Sequence, residues 1–414
     1  MEQADALQTR HITLDAVRGF AVMGILAMNI VDFAMPEVAY ISPAAYGGST
    51  GANLISWIVS TLVFDGKMRG LFSVLFGASM MLVIDRAIAK GESPVKVHYA
   101  RMMCLMLFGL VHFFLIWIGD ILFSYAAIGC IAYLFRKWQP RNLIRFAVGL
   151  YIVTTLMLTG GLGWSLYQQH AAQSPDATTE MIEKYQEEEA DSPFWPAAIA
   201  DEIEMYRGSY AGIVKHKWVE EKLSPLNGVI LGLMETLPMM LIGMALLKNG
   251  FLIGEWEEAR YRRVAVWTVP LGLMATAIIM VVEWRSGFDG LTMVNGVLAW
   301  TGFPRLAMTV GYAALLVMLI RRLSGSAFIA RVAATGQAAF TNYLGTSIVM
   351  TTIFYGYGMG LFGHVERAGL WAFVIAAWAV MLLWAKPWLT RFRYGPLEWL
   401  WRSMARGALQ PMQR

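Results

Sequence analysis

The sequence predicts an all-α fold, a polytopic transmembrane helical bundle of about ten spans, and three observations carry that prediction. Hydrophobic residues make up 57% of the 414 and charged residues only 15%, with a mean hydropathy of +0.52; an ordinary soluble domain is roughly 25% charged. A soluble chain of this length could not withdraw so much apolar surface into one core, so the solvent it matches is lipid. The apolar residues come in runs of roughly 20, the number a helix needs to cross a hydrocarbon core of about 30 Å. Between the runs, Lys and Arg alternate in abundance from loop to loop. Sixteen Trp, 16 Tyr and 27 Met suit interfacial belts and adaptable helix packing.

Spans are expected near 16–34, 68–87, 99–117, 120–136, 142–165, 226–248, 262–283, 297–320, 336–356 and 368–386. Residues 54–64 are apolar but too few to span and run into Asp65-Gly66-Lys67, which predicts an interfacial or re-entrant helix at 52–68. The chain divides into an N-terminal transmembrane half (1–165), an outer acidic insertion (166–225) and a C-terminal transmembrane half with an amphipathic cytoplasmic tail (226–414). The insertion carries five Lys/Arg against twelve Asp/Glu, and its run Glu187-Glu188-Glu189 reads as a solvated helix face. Within it, Phe194, Trp195, Ile199, Ile203 and Tyr206 recur at helical spacing, as in an amphipathic helix resting on the outer lipid surface. Covering an outward-facing pocket is the alternative.

Of the 33 Lys and Arg, 22 fall in segments assigned to the cytoplasm, eight in outer segments, and three (Arg18, Arg69 and Arg305) within spans. The positive-inside rule then predicts a multi-pass protein of a bacterial-type inner (plasma) membrane with both termini cytoplasmic. Residues 1–9 hold two acids and no base, and the first span contains Arg18, Asn29 and Asp32, so it is expected to stay as the first helix. Cys104 and Cys130 lie in apolar runs, which excludes a disulfide framework and a Cys-based metal cluster. The six His show no ligand spacing, so no metal is expected, and a net charge of +4 is too small to argue for nucleic acid.

Ionisable groups inside spans are costly and therefore candidates for function. On the first helix, at 100° per residue, Asp15, Arg18, Asn29 and Asp32 fall within an arc of about 100°, and Arg18 to Asn29 rises about 16 Å. They form a polar stripe facing a cavity, or else Asp15 caps the helix, Arg18 snorkels and Asp32 sits at the interface. The sharpest constellation is His112 with Asp120, placed by a Gly119 turn at an outer hairpin. An imidazole beside a carboxylate suits general-base chemistry, and a neutral structural His with Asp120 as N-cap is the alternative. Asp65, Lys67 and Arg69 at the mouth of the second span could bind an anion or merely flank it. Arg305, Glu235, and the set Gln337, Thr341, Asn342 and Thr346 complete the candidates, the last set also explicable as interhelical glue.

Several stretches resemble one family. Thr13-Leu14-Asp15-Ala16-Val17-Arg18-Gly19-Phe20-Ala21 with Gly24 and Asn29 is similar to the opening of YeiB-like proteins, the domain of unknown function 418. So are Phe72-Ser73-Val74-Leu75-Phe76-Gly77, His112 through Leu122, Thr341-Asn342-Tyr343-Leu344 and Gly395-Pro396-Leu397-Glu398-Trp399-Leu400-Trp401-Arg402. Gln337 stands where that pattern usually has a basic residue, and Thr346 where it has Gln. The family's N-terminal half is similar to transmembrane acyltransferases of the heparan-glucosaminide N-acetyltransferase and acyltransferase-three types. The resemblance implies an acyl group, acetyl first, passed from cytoplasmic acetyl-CoA or another acyl-CoA to an outward-presented hydroxyl or amine of a small molecule or glycan.

On that reading His112 is the general base and Asp120 its orienter. Asp15, Arg18, Asn29, Asp32, Lys67, Arg69, Arg305 and Asn342 contact the donor, through a narrow polar tunnel ending at His112. Membrane lipid is the expected surrounding partner, and a homodimer is one option for the assembly. A membrane transporter or lipid-handling protein with a buried polar pathway is the alternative from a different class.

Overall fold

A computed structural model describes residues 2–190 and 192–414, with side chains from Ile12 onward except those of Glu188 and Ala190. Arg10 of the charge count and Glu188 of the acidic run therefore lie outside the described side chains. Among the described residues the chain is helical nearly throughout, with no β-sheet. In order, α1 (Glu2–Ala34) is followed by the single turn α2 (Val38–Ile41) and by α3 (Gly51–Val59), which runs through a π-turn at Ser60–Phe64 toward α4 (Lys67–Ala89). Next come α5 (Pro94–Leu115), the short α6 (Leu122–Ala132) and α7 (Pro140–Ala172). The insertion folds as α8 (Thr179–Ala190), α9 (Pro196–Arg207) and α10 (Tyr210–Val219). Then follow α11 (Ser224–Lys248), α12 (Glu258–Arg285), α13 (Gly290–Asn295) with a π-turn at Gly296–Trp300, and α14 (Gly302–Arg322). The chain continues with α15 (Ala327–Gln337), α16 (Ala339–Phe354), α17 (Leu370–Arg391) and α18 (Pro396–Arg406).

The expected bundle is present, and eight of its helical segments are long and apolar enough to cross a membrane. Two of the ten expected spans are shorter. The 120–136 span is a helical stretch Leu122–Phe135, about 21 Å long against a hydrocarbon core of about 30 Å. The 336–356 span is half of a broken unit in which α15 and α16 meet at Ala338. The stretch Gly51–Ala89 is 39 residues of apolar helix, about 58 Å and too long for one crossing. It is divided at Asp65–Gly66, where Gly66 has φ +67 and packs so closely on the Arg305 side chain that a Cβ would overlap it. The 52–68 segment is thus a helical arm joined to α4 at a break.

Helix packing relies on glycine at two crossings. A Cβ on Gly19 or Gly336 would overlap the Val332 or Asp15 carbonyl oxygen, so α1 and α15 touch backbone to backbone. Gly77 and Gly243 do the same for α4 and α11. Such small-residue crossings let helices associate where lipid supplies little hydrophobic drive. Pro238 inside α11 frees the carbonyl of Met234, and Thr154 of α7 donates to it at 3.2 Å.

The ends of the helices form two faces. On the basic face, Lys248 donates to the Arg136 and Trp138 carbonyls, Arg322 pairs with Glu258, and Arg101 lies 4.1 Å over the Trp401 ring. On the insertion face, the C-terminal end of α9 docks on protein. Tyr206 is buried between Tyr355 and Phe362, with ring centroids at 4.6 and 4.8 Å, and Arg207 Nε donates to the Phe362 carbonyl. Of the remaining stripe, Phe194 lies beside Gly290 while Trp195 stays exposed.

Glu202 of α9 accepts the Glu37 amide with both carboxylate oxygens, at 3.0 and 3.2 Å. Burial, and the Glu37 carboxylate beside it, push Glu202 from 4.5 up to about 7, against the opposing pull of that amide hydrogen bond. A carboxyl that binds its proton more tightly when docked stabilises docking below its free value, and this contribution is lost as pH rises through about 7. Hydrogen exchange should therefore find the α9 amides better protected at about pH 5 than at about pH 8 after correction for intrinsic rates. Glu202→Gln should flatten that difference.

Candidate functional site

A cavity of about 460 Å³ opens on the basic face between α1, α4, α5, α6, α16 and α18. Its charged lining is mostly cationic, with Arg18, Arg86, Arg101, Arg393 and Arg402 against Asp15 and Glu398. Both carboxylates are engaged. Asp15 pairs with Arg18 at 2.9 Å, and Arg18 also donates to Ser79 at 2.7 Å. Glu398 accepts the amides of Phe340 and Thr341 and the Thr341 hydroxyl, at 2.7, 3.0 and 2.6 Å, capping the start of α16. Burial, with the Arg86 and Arg18 guanidiniums nearby, lowers Arg402 from its usual range. Crowded guanidiniums facing a cavity suit an anion with several phosphate oxygens, which their planar forks bind bidentately.

The inner end of this cavity is apolar and closes on Phe72, Ile121 and Tyr343. Those three side chains also wall a second, small cavity of about 20 Å³ deeper in the bundle, lined by Asn29 and Ser347 together with Ile25 and Met381. The polar face of α1 therefore points inward, but the continuous tunnel expected from it is divided by packed side chains.

His112 lies behind Tyr343, whose ring centroid is 5.3 Å from its own. Its Nδ1 is 2.8 Å from Asp120 Oδ1, and both side chains are essentially inaccessible. A carboxylate only accepts, so Nδ1 carries the proton and donates, and in the neutral ring Nε2 is the nitrogen with the lone pair. Nε2 has no partner. Asp120 Oδ2 meanwhile accepts the Phe123 amide at 2.9 Å, so the residue both caps α6 and orients the imidazole. Gly109 makes room, since a Cβ there would meet the Phe123 amide and the Asp120 carboxylate.

Toward the insertion face the other charged candidates form a separate network. Arg305 Nη2 donates to Asp65 Oδ2 at 2.7 Å, and Tyr40 donates to Asp65 Oδ1 at 2.9 Å. Glu235 links the two arginines, 2.7 Å from Arg69 and 3.9 Å from Arg305. Arg69 keeps 42% of its side-chain surface accessible, so the network borders a space that water or a small ligand can enter. Lys67 is buried and donates to the Thr61 carbonyl at 2.5 Å. Asp32 has one buried carboxylate oxygen without a partner.

Asn342 lines neither cavity. Its amide donates to the Thr335 carbonyl at 3.0 Å and accepts from Trp384 at 2.9 Å, bridging the α15–α16 break. The structure thus joins His112 with Asp120, Asp15 with Arg18, and Arg69 with Arg305 through Glu235, while keeping the last group apart from the basic cavity. Sequence reasoning missed Arg86, Arg101, Arg393, Arg402, Glu398 and Tyr343. The basic ones read as loop charges, although Tyr343 and Glu398 fall within quoted motifs.

A family profile described as "Protein of unknown function (DUF418)" matches residues 246–408. The uncharacterized protein YeiB of Escherichia coli (strain K12) is 33% identical over 414 residues, covering 97% of this chain and 98% of that protein. The uncharacterized protein YxaH of Bacillus subtilis (strain 168) is 31% identical over 421 residues, covering 97% and 95%. No solved structure matches the chain.

The charge network generates one prediction. Arg305→Met leaves Asp65 buried without its ion partner and should lower stability in detergent by about 3–5 kcal/mol. The double variant Asp65→Asn, Arg305→Met should recover most of that loss in thermal unfolding, because no uncompensated charge remains.

Proposed function

We propose that this chain, which belongs to the YeiB-like family, is a membrane acyltransferase that takes an acyl group from acyl-CoA on its basic face and passes it to an acceptor hydroxyl or amine. The observation that carries the reading is the basic cavity whose inner wall, Tyr343, packs beside the ring of His112, itself part of a buried His112–Asp120 pair with a partnerless Nε2. The surplus of Lys and Arg on the basic face supports a cytoplasmic position for that face and both chain ends. The bacterial relatives support the plasma membrane as its residence.

The lining fits the donor's chemistry: guanidiniums for its phosphates, an apolar inner end for its acyl portion. A bound thioester would supply an electrophilic carbonyl. His112 Nε2 takes the proton of the acceptor hydroxyl as that oxygen bonds to the carbonyl carbon. The carbon–sulfur bond breaks, and His112 returns the proton to the departing thiolate. Asp120 holds the imidazole in the tautomer this requires and steadies its charge while protonated. The acceptor would approach from the insertion face, where Asn29, Asp32, Arg69 and Glu235 offer both donors and acceptors to a sugar-like molecule.

The buried Asp65–Arg305–Glu235–Arg69 chain favours a second reading, a transporter whose paired charges gate an ion or proton. Flux into liposomes that depends on a pH gradient, with no response to coenzyme A thioesters, would select it.

With purified protein, acyl-CoA should raise the melting temperature, and Arg402→Ala should shrink that shift by the loss of a contact of about 1.5–3 kcal/mol. His112→Ala should slow transfer by about 10²–10⁴-fold. Full transfer by His112→Ala would remove His112 from the role, and absence of acyl-CoA binding by the unaltered protein would sink the enzyme reading.

A further inference from the structure

We infer that Tyr343 is a plug which, together with the small chamber behind it, restricts the donor to acyl groups of two or three carbons. The inference rests on the acyl-transfer reading and adds a size limit that reading does not contain. Tyr343 occupies the junction of three spaces. It walls the inner end of the basic cavity, walls the deeper chamber, and covers His112 at 5.3 Å between ring centroids. Its hydroxyl donates a long hydrogen bond to the Gly119 carbonyl at 3.4 Å and meets the Ile121 backbone, so it is held only by the α5–α6 turn and not by α16 itself. Its backbone, by contrast, is held: α16 begins one turn earlier, where Glu398 secures the Phe340 and Thr341 amides. A rotation of the side chain that gives up these turn contacts leaves the helix in place. One such movement joins the two cavities and uncovers Nε2 of His112, whose lone pair has no partner while the plug is closed.

What then fits is set by the chamber. About 20 Å³ holds roughly one water-sized group, and a methyl is of that size. Asn29 and Ser347 give it a polar side, which suits the carbonyl end of a short acyl group. Ile25 of α1 and Met381 of α17 form apolar walls that are 8% and 3% exposed. Close-packed walls yield to an extra methylene only by displacing neighbours. One methylene too many in an apolar pocket costs about 10–200-fold in discrimination.

The experiment compares initial rates of coenzyme A release by the full-length protein in nanodiscs from acetyl-, propionyl-, butanoyl- and hexanoyl-CoA. The unaltered protein should use butanoyl-CoA at least about tenfold less well than acetyl-CoA. Ile25→Ala and Met381→Ala enlarge the chamber from two different helices, and each should narrow that ratio by about tenfold. The melting-temperature shift given by free coenzyme A should stay unchanged, because neither residue touches the basic cavity. Tyr343→Ala should raise thioester hydrolysis in the absence of acceptor, since water then reaches His112. Equal use of hexanoyl- and acetyl-CoA by the unaltered protein overturns the size limit while leaving acyl transfer standing, as does an unchanged ratio in both folded chamber variants. Hydrolysis unaffected by Tyr343→Ala overturns the plug. No melting shift with coenzyme A and no release from any thioester overturns the acyl-transfer reading and the inference with it.

Discussion

Polar groups lifted out of water into an apolar bundle must be matched from within the chain, and that constraint organises this protein. Its helices are broken or kinked at several points, and three of these interruptions have a dedicated partner. The break at Gly66 is filled by Arg305, which in turn neutralises Asp65. The α15–α16 break is closed by Glu398 and bridged by Asn342. The carbonyl released by Pro238 is taken up by Thr154. These matches fix the helix ends well enough that side chains can be aimed across the bundle, and without them neither cavity would have a defined wall.

Against that background the unmatched atoms are informative. His112 Nε2, Trp117 Nε1 and one oxygen of Asp32 are buried without partners. The three are neighbours in space or sequence: Trp117 packs on Phe33 at 4.1 Å, next to Asp32 in the chain, and stands 6.0 Å from His112. Other buried polar atoms also lack partners, among them Lys217 Nζ, Asn295 Oδ1 and Thr309 Oγ1, but these three gather around the end of α5. A site that waits for a ligand's own donors and acceptors has this signature.

Much of this was legible in the residues. Composition alone implied the bundle, because nothing but lipid accommodates so little charge on so long a chain. The α1 stripe was readable because a helix has one period, and four polar residues on one arc can only face inward together. His112 and Asp120 were readable because a hairpin brings its two ends close. Pairings between distant helices were not. Glu235 is far in sequence from both Arg69 and Arg305, and no local periodicity links them. The arginines of the basic cavity looked like ordinary flanking charges, since their convergence depends on α18 folding back against α5. What covers α9 was open for a related reason: an amphipathic face says that it must be covered, but lipid and protein loops cover it equally well. The broken unit at Ala338 hides because its two halves together are as apolar as one span.

The cap that Glu398 provides has a consequence for how the molecule is made. A chain is synthesised in order, so α16 enters the membrane with its first amides exposed before α18 exists to receive them. Until α18 arrives, the start of α16 can only borrow water from the interface, and the wall carrying Tyr343 has no fixed position. The protein therefore crosses the translocation machinery as a bundle with an unfinished seam, sealed afterward by a helix that crosses nothing itself. A defined cavity wall would appear as a late, single event, and the translocated intermediate would be a natural substrate for membrane quality control.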